Sequence, residues 1–183
     1  MEAELRKLKL TDTEFFKILY EWELNEPRKI DITCRPVNNS PVKETYFENL
    51  KYRIDKGEIE IYLLMLQKRI PLGKVMVFNF NTRNQSAEFG YYLPAEYRGK
   101  GLGSSMIKLF LKNVFNKDSV LNQIYATTSS NNLSSVSLLE KFGFKLDGRL
   151  REQYWIDNMK YDQLFYSMLK KERIMMSENL FEI

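Results

Sequence analysis

The chain of 183 residues contains no histidine and a single cysteine, Cys34. Without histidine, the Ser-His-Asp and Cys-His routes to an activated nucleophile are closed. Nearly all zinc sites are excluded too, since they draw on histidine or on several cysteines. A general base must then be a carboxylate, a tyrosine, a lysine or water. A lone cysteine forms no internal disulfide, and with no imidazole to deprotonate it Cys34 reads as a bystander. No apolar run reaches the roughly 18 residues of a membrane span, and "MEAELRKLKLTDTEFF" lacks the apolar core of a secretory signal. The expectation is a cytoplasmic protein with no membrane segment and no metal. Neither sign of charge dominates: 28 Lys and Arg stand against 24 Asp and Glu. That balance suits a phosphate-bearing ligand, but it is too mild and too scattered for nucleic acid, which speaks against an RNA-associated module.

What is present reads as one domain over residues 1–170, followed by a tail, 171–183, of no assigned role. "ELRKLKL" alternates as a strand. "TDTEFFKILYEWELNE" carries an apolar stripe of Phe15, Phe16, Leu19, Tyr20 and Trp22 and reads as a helix ending before Pro27. Residues 27–41, with three prolines, read as a loop, and "VKETYFENLKYRIDKG" as a helix closed by Gly57. "EIEIYLLMLQ", "KVMVFNFN" and "SAEFGYYLP" follow as three strands of an antiparallel meander, with "IPLG" as the first turn. A helix "SSMIKLFLKNVFNK", a strand "NQIYATTS", a helix "NLSSVSLLEKFG" and two strands joined around Asp157-Asn158 complete the order βααβββαβαββ, a mixed α/β or α+β domain. The last strand is expected at the sheet's edge, open to pairing in a homodimer.

The most informative stretch is "YYLPAEYRGKGLGSSM", where Gly99, Gly101 and Gly103 stand between a strand and a helix. A helix's first turn has unpaired N–H groups and a positive dipole end. Glycines let a ligand approach those groups, so the loop reads as a phosphate cradle, with Arg98 and Lys100 adding charge. Neither GxxxxGK[ST] nor GxGxxG is matched.

The segment resembles the acyl-CoA pyrophosphate loop, Q/R-x-x-G-x-G/A, of the GNAT superfamily of N-acetyltransferases, with Arg98, Gly101 and Gly103 at the patterned positions. "NNLSSVSLLEKFGF" resembles the family's next motif through Asn132, Ser135 and Gly143-Phe144. "FKLDGRLREQYWIDNMKYDQLFYSML" resembles the branch of ribosomal-protein N-terminal and small-amine or amino-sugar acetyltransferases. The likeness covers roughly residues 58–170, and the first 57 fit only in element order. It implies a mostly antiparallel sheet, splayed at a cofactor wedge, with helices on both faces. It also implies acetyl-CoA as cosubstrate and direct transfer to a primary amine on a small molecule, an amino sugar or a protein N-terminus. A non-catalytic acyl-CoA-binding or regulatory domain is the alternative.

Under that resemblance the pyrophosphate would meet the loop over Arg98, Gly99, Lys100, Gly101, Leu102, Gly103 and Ser104. The pantetheine arm would run along Tyr91, Tyr92 and Leu93, with Pro94 helping to splay the strand, and Asn132 and Ser135 would face the arm. Glu88, in "SAEFGYY", is the first candidate for the base, with Glu152 the second. The family's usual acid, a Tyr five residues before the Phe of Gly-Phe, is replaced by Leu139, which leaves Tyr154, Tyr125 or Tyr161, Ser135 or Ser137 on the same helix, or water-assisted release of the thiolate. The acceptor side is expected from the first helices and the loop after them. There Trp22, Glu21, Glu23, Glu26 and Asp31 suit a cationic amine, and Arg28, Lys29 and Arg35 suit phosphates.

Overall fold

The computed structural model describes residues 3–33, 35, 37–67, 69–116 and 118–173; Cys34 and most of the C-terminal tail lie outside them. Alternation along two strands sets its layers. In β2 (Ile59–Leu66), Ile59, Ile61, Leu63 and Met65 face one side of the sheet, while Leu64 faces the other. In β3 (Ile70–Asn81), Val75 and Val77 join the Leu64 side, leaving Lys74, Met76 and Phe78 on the opposite face. This is the period-two signature of a sheet covered on both faces.

Each face has its own helices. α1 (Thr13–Asn25) lays Phe15, Phe16 and Leu19 onto the β2 side chains, and α3 (Lys43–Asp55) closes over them, with Phe47 edge-on to Phe16 at 6.3 Å. On the other face α4 (Leu102–Val114) buries Met106, Ile107, Phe110 and Leu111, an i, i+4 stripe that makes this helix strongly amphipathic. α5 (Leu133–Lys141) adds Leu139 to that core. Phe89 of β4 (Ser86–Tyr92) anchors it, with ring centroids 5.1 Å from Phe110 and 5.3 Å from Phe144. Truncation of such a residue costs about 3–5 kcal/mol.

A seven-stranded sheet results, ordered β1-β2-β3-β4-β5-β7-β6, with β1 at Ala3–Lys7, β5 at Gln123–Ser129, β6 at Lys145–Ile156 and β7 at Met159–Leu169. All pairings are antiparallel except β4–β5, which is parallel and spans only Ser86–Glu88 against Gln123–Tyr125. The mixed, mostly antiparallel sheet with helices on both faces is as expected.

Several boundaries differ from the sequence expectation. The β2–β3 turn falls at Gln67–Arg69, with Gln67 at φ 51°, so "IPLG" belongs to β3; its Leu72 is buried in the core and holds the strand. The segment 27–41 contains a one-turn helix, α2 (Lys29–Ile32), too short to register as a periodic pattern. The last strand, β7, is not at an edge. It lies between β5 and β6, and β6 is the exposed strand, because seven residues of β5 pair with β7. The chain also continues past 170 in contact with the domain: Glu172 accepts from the Leu169 N–H at 2.9 Å and pairs with Lys145 at 2.5 Å. Asp157 and Asn158 both have positive φ, 48° and 61°, as a tight hairpin turn requires.

Candidate active site

The glycine loop leads through a single turn of 3-10 helix (Ala95–Tyr97) into α4. Gly99 and Gly101 adopt φ of 72° and 77°, and space is open where a Cβ would stand at either. Gly101 caps α4 without any side chain bonding the first turn, and among the described residues the N–H groups of residues 99 to 104 meet no acceptor. Those unpaired donors, gathered at the positive end of a thirteen-residue helix, make a setting that suits an anion. Gly103 differs from the other two glycines. Its φ is not positive, and a Cβ there would meet Leu138 Cδ2 of α5 at 3.4 Å and Leu93 Cδ1, just after β4, at 3.7 Å, so this position packs against both rather than opening onto the loop.

Arg98 braces the loop. Its Nε donates to Leu93 O at 2.8 Å and its guanidinium holds the buried Glu26 carboxylate at 2.5 Å, tying the loop to the end of β4 and to the end of α1. Lys100 is exposed beside it. Ser104 accepts a hydrogen bond from Lys141 Nζ at 3.2 Å.

Next to the loop the sheet opens. After Glu88 and Tyr125 the parallel register ends, so Phe89 to Leu93 have no β5 partner along this side. The opening begins well before Pro94, which is buried and starts the 3-10 turn. Across the gap the Tyr91 hydroxyl meets Ser135 Oγ at 2.6 Å. Ser135 is held by Asn132, whose Oδ1 accepts from the Ser135 N–H at 3.2 Å and from the Ser134 hydroxyl at 2.9 Å. The first of these bonds caps α5. Burial pushes the Tyr91 pKa up to about 12, against a smaller lowering by the Ser135 hydrogen bond, so the phenol stays protonated.

The opposite face of the wedge holds a cavity of about 450 Å³. Lys74, Met76 and Phe78 of β3 and Glu88, Gly90 and Tyr92 of β4 form its floor, and α1, α2 and the loop to α3 form its roof. Thr127 and Tyr154 reach it from β5 and β6. Trp22 lies 6.0 Å from the Tyr92 ring. Glu88, with 14% of its side chain exposed, accepts from Asn79 Nδ2 at 2.7 Å and faces Arg35 at 3.7 Å. The roof is tied to the β6–β7 turn by Arg28, which bonds Asp31 at 2.6 Å and Asp157 at 2.7 Å.

The sequence-derived site residues are thus partly gathered. Glu88, Tyr91, Tyr92 and Tyr154 line one cavity, with the glycine loop at its side. Tyr154 is buried there. Glu152 is set apart: on a β6 bulge at φ 54° it points outward, exposed and paired with Lys160 at 2.6 Å. Leu139 is fully buried in the core. Of the acidic residues expected on the acceptor side, Glu23 and Glu26 line the cavity, but Glu26 is held by Arg98, and Asp31 is held by Arg28. Two cavity lysines, Lys29 and Lys74, are nearly buried; only the strand position of Lys74 was visible in the sequence, and the direction of neither side chain was.

Residues 3–145 match the family model described as an acetyltransferase (GNAT) domain. The chain belongs to the GNAT family. A putative ribosomal N-acetyltransferase of Bacillus subtilis is 28% identical to this GNAT domain over 100 residues, 55% of this chain and 54% of the relative. A spermidine N(1)-acetyltransferase of Vibrio cholerae is 28% identical over 130 residues, 70% of this chain and 73% of the relative. The chain spans about half the length of the first of these. Among solved structures, that of a Vibrio cholerae spermidine N-acetyltransferase in complex with CoA and spermine superposes with a TM-score of 0.81 at 22% identity, covering 94% of this chain and 98% of that one. This likeness establishes the fold of the GNAT domain. No helix among the described residues is long and apolar enough to cross a membrane.

Proposed function

We propose that the protein is an acetyl-CoA-dependent N-acetyltransferase that passes the acetyl group directly to a primary amine. One observation carries the reading: the sheet opens after Glu88, between unpaired N–H groups at residues 99 to 104 on one side and a charged cavity on the other. The residues present fit the cosubstrate, whose thioester supplies the activated acyl group. The loop amides and Lys100 would hold its pyrophosphate, and the unpaired side of Phe89 to Leu93 would hold the pantetheine arm as a further strand. An amine of lysine type has a pKa of about 10.4 and must lose a proton before it attacks. Glu88, at the cavity floor where the wedge opens, takes that proton. Tyr154, buried on β6 and lining the same cavity, returns one to the sulfur in place of the tyrosine that Leu139 displaces. Tyr91 and Asn132 act by position: the phenol fixes Ser135 across the wedge and the amide caps the helix that carries it.

The same reading places the protein in the cytoplasm, where acetyl-CoA is at hand. It also takes the protein to be an oligomer, with β6 carrying Trp155 at 66% exposure; one similar structure, of a spermidine N-acetyltransferase, is described as dodecameric. Calorimetric titration with acetyl-CoA, followed by thiol-release assays over small amines, amino sugars and peptides, tests the function. Micromolar binding with thiol release on amine addition is expected. A protein that does not bind acetyl-CoA would overturn the reading.

A further inference from the structure

The charges around the cavity are nearly all matched, and the one that is not points to the acceptor. Glu26 is taken by Arg98, and Glu88 by Asn79 and Arg35. Lys29 donates to Asn38 O at 2.8 Å and lies 3.7 Å from Glu23. Lys74 has no such partner. It sits in the middle of an apolar sheet, 8% exposed, and its side chain lines the cavity. Among the described residues its ammonium makes no hydrogen bond and no ion pair; it lies over the Tyr92 ring, 5.7 Å from the centroid, and Glu23 acts on it only from a distance. Burial of a cation is costly unless it is paired and hydrogen-bonded. Desolvation accordingly lowers its pKa, and any anion brought beside it would restore the charged form.

We propose that Lys74 is a specificity residue that receives an anionic group, a carboxylate or a phosphate, on the amine acceptor. The inference rests on the acetyltransferase reading. Its geometry follows from the strand register: Lys74 lies opposite Tyr92, and Phe78 opposite Glu88, on the same face. The two charged ends of the floor are therefore four strand residues apart, about 13 Å between backbones. An amine placed at Glu88 leaves its anion about three to four residue lengths away at Lys74. A short peptide with an acidic group covers that span, since each extended residue reaches about 3.5 Å, and a phosphorylated amino sugar covers the nearer part of it. A polyamine would instead set its second cation against Lys74 and Lys29, a like-charge contact that disfavours binding.

The test compares acceptors that differ only in the anion: Ala-Ala-Ala against its C-terminal amide, glucosamine 6-phosphate against glucosamine, and spermidine as the cationic case. Thiol release is measured with saturating acetyl-CoA for the wild type, Lys74→Met and Lys74→Arg. The wild type should favour an anionic member by about tenfold in kcat/KM, the effect of one well-placed charged hydrogen bond. The peptide and sugar arms tell a carboxylate from a phosphate source. Lys74→Met should erase most of the preference through KM, Lys74→Arg should keep part of it, and acetyl-CoA affinity should not change. Spermidine or the neutral amines used as well as the anionic ones would overturn the inference. So would an unaltered ratio in Lys74→Met, weaker acetyl-CoA binding in that variant, or no transfer to any anionic amine by a protein that binds acetyl-CoA. Failure of the wild type to bind acetyl-CoA at all would instead remove the acetyltransferase reading.

Discussion

The two glycines at the head of α4 look equivalent in the sequence but are not equivalent in the structure, and alanine at each gives a paired test. At Gly101 the backbone is left-handed, φ 77°. A residue with a Cβ there costs about 1–2 kcal/mol. For a domain of this size each kcal/mol lowers the thermal midpoint by about 2–4 °C. No neighbour stands within 4 Å of the new Cβ, so strain is the whole cost to the free protein. With ligand the Cβ sits beside the unpaired N–H groups, and acetyl-CoA affinity should fall by about tenfold, one lost charged hydrogen bond. At Gly103 the backbone suits alanine, which gains up to about 1 kcal/mol of helix propensity. Its Cβ would press on Leu138 at 3.4 Å, a flexible side chain that need give only slightly. Gly103→Ala should therefore keep its midpoint within about 2 °C and bind acetyl-CoA nearly as the wild type does. Differential scanning fluorimetry and calorimetric titration read both quantities. Equal losses of affinity at the two positions, or a Gly101→Ala protein as stable as the wild type, would refute the assignment of the cradle to Gly101 rather than Gly103.

Other consequences follow from the same site. Glu88→Gln should slow transfer most at low pH, where the amine is protonated and needs a base; an unchanged pH–rate profile would remove Glu88 from that role. Glu26→Gln should lower stability by about 1–2 kcal/mol in urea denaturation, less than the roughly 3–5 kcal/mol of splitting a wholly buried pair. The Arg98 guanidinium reaches solvent, which softens the loss. Tyr91 holds its proton up to a pKa of about 12 when folded, against about 10 unfolded. The unfolded chain therefore loses that proton first. Stability from this group is intact below about pH 10 and falls as pH rises from there towards about 12. Tyr91→Phe should flatten that part of the stability–pH curve.

The backbone geometry of the glycine loop was legible from local signals in the sequence. Gly99 and Gly101 need positive φ, Asn132 is a residue suited to an N-cap, and "SSMIKLFLKNV" has one apolar stripe; each is decided within a few residues. What could not be read was decided at long range. The partner of Arg98 is 72 positions away at Glu26, and that of Arg28 is 129 positions away at Asp157. Counting acids near Trp22 as acceptor contacts therefore assigned Glu26 and Asp31 to a role that internal cations had already filled. Strand order fails for the same reason: nothing in "KYDQLFYSML" says that it pairs with β5 on one side and β6 on the other. Lys74 left a faint trace, a lysine in phase with Met76 and Phe78 in a strand with apolar neighbours, but on which side of that strand the cavity lies is a property of the assembled sheet.

The short parallel contact between β4 and β5 bears on how the chain assembles. β5 has three paired positions with β4 but seven with β7, which lies more than thirty residues further on. Strand β5 therefore waits for the end of the chain before most of its backbone groups find partners. Contacts of this separation slow folding, because the loop between them must close first. During synthesis the part up to β4 and α4 can consolidate early, while β5 and α5 stay loosely attached until the last hairpin emerges. The wedge between β4 and β5, which no backbone pairing closes in the finished protein, is thus also the seam along which its two halves meet last.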